Sequence, residues 1–210
     1  MEKRKDIPDN KTGVPLEHYC KLFREQDPAA LSEKSGVAYD PEKGGFSLHL
    51  LRRPVILTWP EMSVREEGGR EYKPNVRMLL GRFVMEGRLS ETTGKFLSYT
   101  EMPWGQVYAQ PFRGRCILRL AFGFGKDVER FRTACRGVGG VEVSAGSADA
   151  AFDIEVVDGY TVRLQLWAGD EEFPPSAQIL FTDNFPNAFT AEDMAVVGDI
   201  VLDEMKAAVS

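Results

Sequence analysis

A short acidic loop carries the residues whose types and spacing best suit chemistry. The loop, residues 168–175, reads AGDEEFPP, and Asp183 follows it after one short apolar strand. Clustered carboxylates can bind a hard cation through their oxygens, or divide into a general acid and a general base. Asp170, Glu172 and Asp183 are therefore candidate ligands of a divalent cation. The same side chains also fit solvated loop charges, because Asp and Glu are mostly exposed in folded proteins.

Aromatic residues beside the loop suggest a second kind of site. Trp167 precedes the loop and Phe173 lies within it, so Trp167, Asp170, Glu172 and Phe173 are candidate ligand-binding residues at the edge of a pocket. Other rings can line a pocket for a planar ligand or belong to the core. These rings are Trp59, Tyr99, Trp104, Tyr108 and Phe112.

A β-hairpin must position the loop. Apolar and polar residues alternate from Phe152 to Val156 and again from Tyr160 to Trp167, the pattern of strands with one buried face. The dipeptide Asp158-Gly159 between them tolerates the positive φ angles of a two-residue hairpin turn. A short apolar strand over Ala177–Phe181 follows the acidic loop. A helix over Ala191–Ala208 then opens with Thr190 and Asp193 in the spacing of a capping box.

The rest of the chain combines helices and strands in runs. Such an order predicts an α+β fold, with a mainly antiparallel sheet flanked by helices in a single domain over residues 14–210, after a flexible tail at 1–13. A polar loop is predicted over Ser63–Lys73, and it is the best place for a hinge. Helices are predicted over Pro15–Gln26, Ala29–Lys34, 74–87, Pro111–Phe122 and Lys126–Arg136, and strands over Val37–Tyr39, 45–51, Pro54–Trp59 and Phe96–Thr100.

Composition excludes several classes of protein. The net charge of −6 argues against a nucleic-acid-binding protein, which needs a basic face. No apolar run approaches the ~20 residues of a membrane span. The charged N-terminal stretch has no apolar core behind it, so we expect it not to be a signal peptide. Three widely spaced cysteines fit reduced thiols, so we expect a cytoplasmic protein without disulfides. No zinc, nucleotide or nucleophile motif is present, and the sequence identifies no cofactor.

The acidic loop and its flanks resemble the closing motif of a known family. The motif here consists of Leu166–Pro174, then Ile179–Asp183, and then Thr190–Asp193 at the start of the last helix. The resemblance is to an uncharacterised family of mainly anaerobic prokaryotes, catalogued as a domain of unknown function. Thr182 stands between Phe181 and Asp183, where the family has Phe-Asp.

Three functions stay open at this point. The first is a binding module for a small molecule or cofactor, with its pocket near residues 170–174. The second is an enzyme that uses Asp170, Glu172 and Asp183 around a divalent cation. The third, which rests on the resemblance alone, is a module that binds a protein partner in anaerobic one-carbon or redox metabolism. We favour the first function, and a concave apolar cleft beside Trp167 would support it.

Overall fold

A computed structural model describes residues 13–66, 68–70 and 72–210. The predicted tail, 1–13, lies outside the described residues except for Gly13, which begins the first helix. The described chain is one domain of the α+β class, with nine strands in a largely antiparallel sheet, as predicted. Contacts group the chain into two compact units. The first contains the described residues up to Leu48 and those within Val55–Arg88, and the second contains His49–Pro54 and Leu89–Ser210.

Capping residues, proline and glycine set the ends of helices in the first unit. Asp27 caps the second helix by accepting a hydrogen bond from the Ala30 amide at 2.8 Å, and Pro28 is its first residue. Gly36 ends this helix in the left-handed conformation, with φ of 75°. The helices are α1 (Gly13–Arg24), α2 (Pro28–Ser35) and α3 (Pro74–Glu86), close to the predicted ranges.

The first four strands form antiparallel pairs. Tyr39 pairs with Phe46, and Val55 pairs with Glu66. The second of these pairs corrects the predicted loop over Ser63–Lys73, because three of its residues form an edge strand in which Val64 is buried. The strands are β1 (Tyr39–Asp40), β2 (Gly45–Leu50), β3 (Arg53–Thr58) and β4 (Val64–Glu66).

The predicted hairpin lies at the centre of the second unit. Ile154 pairs with Val162 across the hairpin, and Gly159 has φ of 77° in its turn. Two further strands of this unit extend the sheet on one side of the hairpin and one on the other, and the pairs are antiparallel. The strands are β5 (Phe96–Ser98), β6 (Val141–Glu142), β7 (Ala150–Val157), β8 (Tyr160–Trp167) and β9 (Ser176–Thr182), in the order β7-β8-β9-β5 with β6 paired to β7.

The helices of the second unit include one irregular stretch. The helix predicted over Pro111–Phe122 in fact begins at Gly105, and a π-helical turn over Arg113–Ile117 interrupts it. Pro111 lies inside this helix, although the prediction used it as the first residue. The helices are α4 (Gly105–Phe112), α5 (Leu118–Phe124), α6 (Val128–Gly137) and α7 (Ala191–Ala207).

The core of the second unit lies between its sheet and its helices. The four apolar side chains that alternate along β8 are each no more than 1% exposed. Phe131 of α6 packs edge-on against Phe152 of β7, with ring centroids 5.7 Å apart. Thr190 and Asp193 form the predicted capping box at the start of α7. Among the described residues, no helix is both long and apolar enough to cross a membrane.

Candidate functional site

The acidic loop is held by its own first carboxylate. Asp170 Oδ1 accepts hydrogen bonds from the amides of Glu172 at 2.9 Å and Phe173 at 2.7 Å. The Asp170 amide in turn donates to the Phe173 carbonyl at 2.9 Å. These bonds, that of Phe173 first, lower the pKa of Asp170. Asp170 therefore stabilises the turn, while Glu172 and Phe173 project outward and Phe173 is 66% exposed.

Two glycines fix both ends of the loop. The Gly169 amide donates to the Gly125 carbonyl at 3.0 Å, at the end of α5. A Cβ atom at Gly125 would lie 2.2 Å from Pro175 Cβ, and one at Gly169 would lie 2.7 Å from the Pro175 nitrogen. Only residues without a side chain allow this approach of three backbone segments. The loop is thus anchored beside the end of β8.

Asp183 has a local role of the same kind. Its carboxylate accepts hydrogen bonds from Thr92 Oγ1 at 2.6 Å, from the Thr93 amide at 3.0 Å and from Thr93 Oγ1. The side chains of Thr92 and then Thr93 lower the pKa of Asp183. Asp183 thereby fastens the segment before β5 to the end of β9.

The predicted metal ligands serve separate turns. Asp170 accepts hydrogen bonds from the amides of Glu172 and Phe173 in its own loop. Asp183 instead accepts them from Thr92 and Thr93, in the segment before β5. Among the residues that the structure describes, no three His, Cys, Asp or Glu side chains are grouped so as to hold a metal ion. The cation site at Asp170, Glu172 and Asp183 therefore stays a prediction that this arrangement does not support.

A hollow of about 370 Å³ lies beside Trp167, and we call it the Trp167 pocket. Its walls come from the end of β8, the start of β9, the end of β5 and the helical stretch around the π turn. The volume falls within the range of small-molecule sites, ~300–1,000 Å³. The lining residues are Ser98, Tyr99, Thr100, Ala109, Gln110, Phe112, Arg113, Ile117, Trp167, Ala177 and Gln178.

Two stacked rings form one wall of the Trp167 pocket. Tyr99 and Phe112 lie parallel, with an interplanar angle of 3° and ring centroids 3.9 Å apart. The Tyr99 hydroxyl donates to the Ala191 carbonyl at 2.7 Å, so it is already satisfied. Burial, followed by the nearby Cys116, raises the pKa of Tyr99 to about 12. Tyr99 is therefore a neutral, rigid wall at physiological pH, unsuited to proton transfer.

Trp167 is oriented by the loop before β7. Its Nε1 donates to Ser147 Oγ at 3.2 Å. The next amide, of Ala168, donates to Asp149 Oδ2 at 2.7 Å. Trp167 is half-buried, so part of its ring stays accessible. These bonds hold an indole ring at the pocket in a fixed orientation, which suits the binding of a flat ligand.

The π turn brings a cation to the Trp167 pocket. Arg113 and Ile117, its first and last residues, both line the pocket. The turn closes through a hydrogen bond from the Leu118 amide to the Arg113 carbonyl. Single π turns inside helices occur frequently at functional sites. Pro111, which lacks an amide hydrogen, lies just before the turn and leaves the Val107 carbonyl without its usual helical donor.

The chain shows a clear likeness to one protein family. The family model described as "Domain of unknown function (DUF3786)" matches residues 27–204. The chain belongs to this family. Neither a curated protein nor a solved structure gave a significant match to it. The matched range includes every lining residue of the Trp167 pocket, so this pocket lies within the DUF3786 domain.

This DUF3786 chain has a second hollow with different electrostatics. Its volume is about 660 Å³, and it lies where the hairpin turn meets the segment before β5. Asp158 in its wall accepts hydrogen bonds from the His49 amide at 2.9 Å and from His49 Nδ1 at 2.7 Å. The lining residues are Leu89, Ser90, Glu91, Thr92, Asp158 and Gly159, which include two carboxylates and no described cation.

The structure separates the predicted site residues into two groups. Trp167 lines the pocket, whereas Asp170, Glu172 and Phe173 belong to the neighbouring loop and are not among its described lining residues. Of the other predicted rings, Tyr99 and Phe112 line the pocket. Trp104 and Tyr108 are not among its described lining residues, and they are 77% and 45% exposed.

Sequence reasoning missed Arg113, although a signal for it exists. The positions three and four residues away, where a carboxylate could pair with a helical arginine, hold Ala109, Gln110, Cys116 and Ile117. The sequence alone therefore indicates that Arg113 has no acidic partner at helical spacing, although the chain as a whole is acidic.

Proposed function

We propose that this protein is a small-molecule-binding module and that the ligand occupies the Trp167 pocket. The observation that supports this most is the convergence of Trp167, Tyr99 and Phe112 from three separate elements on one hollow. Rings held in fixed orientations bind flat ligands with little loss of conformational entropy. A volume of about 370 Å³ suits a compound of one to three fused rings.

The acidic loop contributes indirectly to this function. Asp170 organises the loop, and the contact between Gly169 and Gly125 fixes the end of β8 from which Trp167 projects. We expect the loop to shape the edge of the pocket and to exclude water from a bound ligand. A ligand contact from Asp170, Glu172 or Phe173 remains a prediction, because none of the three is among the described residues that line the pocket.

Fluorescence of Trp167 provides a direct test. Trp59→Phe and Trp104→Phe together leave Trp167 as the one tryptophan of the chain. A set of one- to three-ring aromatic compounds, both acidic and neutral, is then screened for quenching of Trp167 and for thermal stabilisation. A compound at ~100 times its Kd should stabilise the protein by about 2.7 kcal/mol, which raises Tm by about 5–10 °C.

A blocking variant makes the test specific. Ala177 is half-buried in the pocket wall, and Ala177→Phe should fill the space that the ligand needs. Thr161→Phe, a half-buried position at the opposite end of β8, is the matched control. We expect quenching and stabilisation to disappear in Ala177→Phe and to persist in Thr161→Phe. The proposal fails if no compound quenches Trp167, or if Ala177→Phe binds as well as the parent protein.

A further inference from the structure

The charge of the Trp167 pocket is opposite to that of the whole protein. The chain carries a net charge of −6, yet Arg113 is the one charged residue among the described residues that line this pocket. The second hollow, in contrast, is lined by Glu91 and Asp158. The lining of the Trp167 pocket therefore offers a ligand one cation and no carboxylate, so an anionic group of the ligand can pair with Arg113.

Arg113 differs from the other arginines of its helical stretch. Arg115 pairs with Asp199, and Arg119 pairs with Asp199 at 3.1 Å and with Asp203 at 2.5 Å. Both thus bind α7 and are neutralised within the fold. Arg113 has no ion pair within the described part of the chain, and its side chain is exposed at the pocket. Its guanidinium donors therefore remain available to a ligand.

The nearest acidic residue in sequence to this wall, Glu101, is engaged with Ser98 and not with Arg113. Glu101 accepts hydrogen bonds from the Ser98 amide at 2.7 Å and from Ser98 Oγ at 2.6 Å, which close a capping box. These bonds, the side-chain bond first, lower the pKa of Glu101. The carboxylate is therefore committed to the turn after β5, and Glu101 does not line the pocket.

We infer that the ligand of the Trp167 pocket is a planar aromatic carboxylate, with its ring against Trp167 and its carboxylate on Arg113. This inference rests on the proposed function and names the class of ligand. A single guanidinium matches a single carboxylate through two parallel hydrogen bonds. A phosphate, with a charge of about −1.5 to −2 at pH 7, would keep excess negative charge beside one arginine. The amides of Gln110 and Gln178 can bind a further polar substituent.

Three matched probes test the inference. They are 2-naphthoate, its neutral isostere 2-naphthamide, and 2-naphthyl phosphate, all titrated against the protein in which Trp167 is the one tryptophan. We expect naphthoate to bind tightest of the three. Arg113→Gln should weaken naphthoate binding about tenfold, which is the low end for a hydrogen bond to a charged group because Arg113 is exposed. The same variant should change naphthamide binding less than twofold.

A charge control and a salt series complete the experiment. Lys126→Gln removes one positive charge from an exposed position of the same unit that does not line the pocket, and it should leave the binding of all three probes unchanged. Raising the salt concentration from ~0.05 M to ~0.5 M should weaken binding of naphthoate but not of naphthamide. Thermal unfolding of Arg113→Gln confirms that the variant folds.

The outcomes separate this inference from the function beneath it. If no probe quenches Trp167, both the proposed function and the inference are overturned. If naphthamide binds as tightly as naphthoate, or if Arg113→Gln leaves naphthoate binding unchanged, the pocket binds small molecules but the assignment of a carboxylate ligand is wrong. If naphthyl phosphate binds tightest and loses affinity in Arg113→Gln, the anion is a phosphate and the inference is overturned in that form.

Discussion

Replacing Gly198 by alanine tests how closely α7 packs against the π turn that carries Arg113. A Cβ atom at Gly198 would lie 2.6 Å from Cys116 Sγ and 3.3 Å from Cys116 Cβ, whereas ordinary contacts between carbon atoms lie at ~3.5–4.0 Å. Cys116 is fully buried inside the π turn. The added methyl group must therefore push the turn away from α7.

Two opposed effects set the magnitude. Overpacking a well-packed core costs ~1–3 kcal/mol, while alanine is ~0.5–1 kcal/mol more favourable than glycine inside a helix. We expect Gly198→Ala to lower the free energy of unfolding by about 1 kcal/mol. In a Cys116→Ala background the sulfur is absent, so Gly198→Ala should raise the free energy of unfolding by about 0.5 kcal/mol. The coupling energy between the two positions is then about 1.5 kcal/mol.

Urea unfolding of the parent, both single variants and the double variant measures this coupling. Cys135 provides the matched control, because it is an equally buried thiol on α6 that does not contact Gly198. A cycle of Gly198→Ala with Cys135→Ala should be additive to within ~0.5 kcal/mol. The packing argument is refuted if the Cys116 cycle is also additive, or if both cycles show the same coupling.

Three further predictions concern reactivity, capping and pH. Cys20, which is half-buried, should react with a thiol reagent in the folded protein, whereas Cys116 and Cys135 should react only after unfolding. Burial raises the pKa of both, to about 12 for Cys116, so more than one equivalent of fast thiol would contradict this. Thr190→Ala should lower the free energy of unfolding by about 1 kcal/mol and Thr190→Ser by less than ~0.5 kcal/mol, as measured in urea. Because the pKa of Asp183 is lowered from 3.8, its stabilisation is present above pH 3.8 and is lost as the pH falls through the lowered value. Asp183→Asn should flatten the dependence of stability on pH in that acidic range, and an unchanged dependence would contradict the lowered pKa.

Local signals predicted much of the second unit. The alternation along Tyr160–Trp167 and the Asp158-Gly159 turn identified the central hairpin, because period and turn chemistry agree there. The capping box at Thr190 placed the start of α7 for the same reason. These elements follow from interactions between residues close in sequence, which one sequence displays directly.

The errors arose where tertiary contacts decide the structure. Pro111 resembles the first residue of a helix, but the stacking of Phe112 on Tyr99 accompanies a helix that runs through the proline. The strand at Val64–Glu66 looked like loop because two of its three residues are polar, and its pairing with β3 is visible only in three dimensions. The lack of an acidic residue at helical spacing from Arg113 was visible in the sequence, but only the folded structure shows that Arg113 lines a pocket.

The close contact of Gly125, Gly169 and Pro175 anchors the acidic loop to the hairpin and to the end of α5. Backbone crowding restricts the two glycine positions, while residues 171–173 between the anchors are exposed. The length and charge of this segment can therefore change without disturbing the hairpin that carries it. Among homologues, we expect the two anchoring glycines to persist, because a side chain at either position would collide with Pro175.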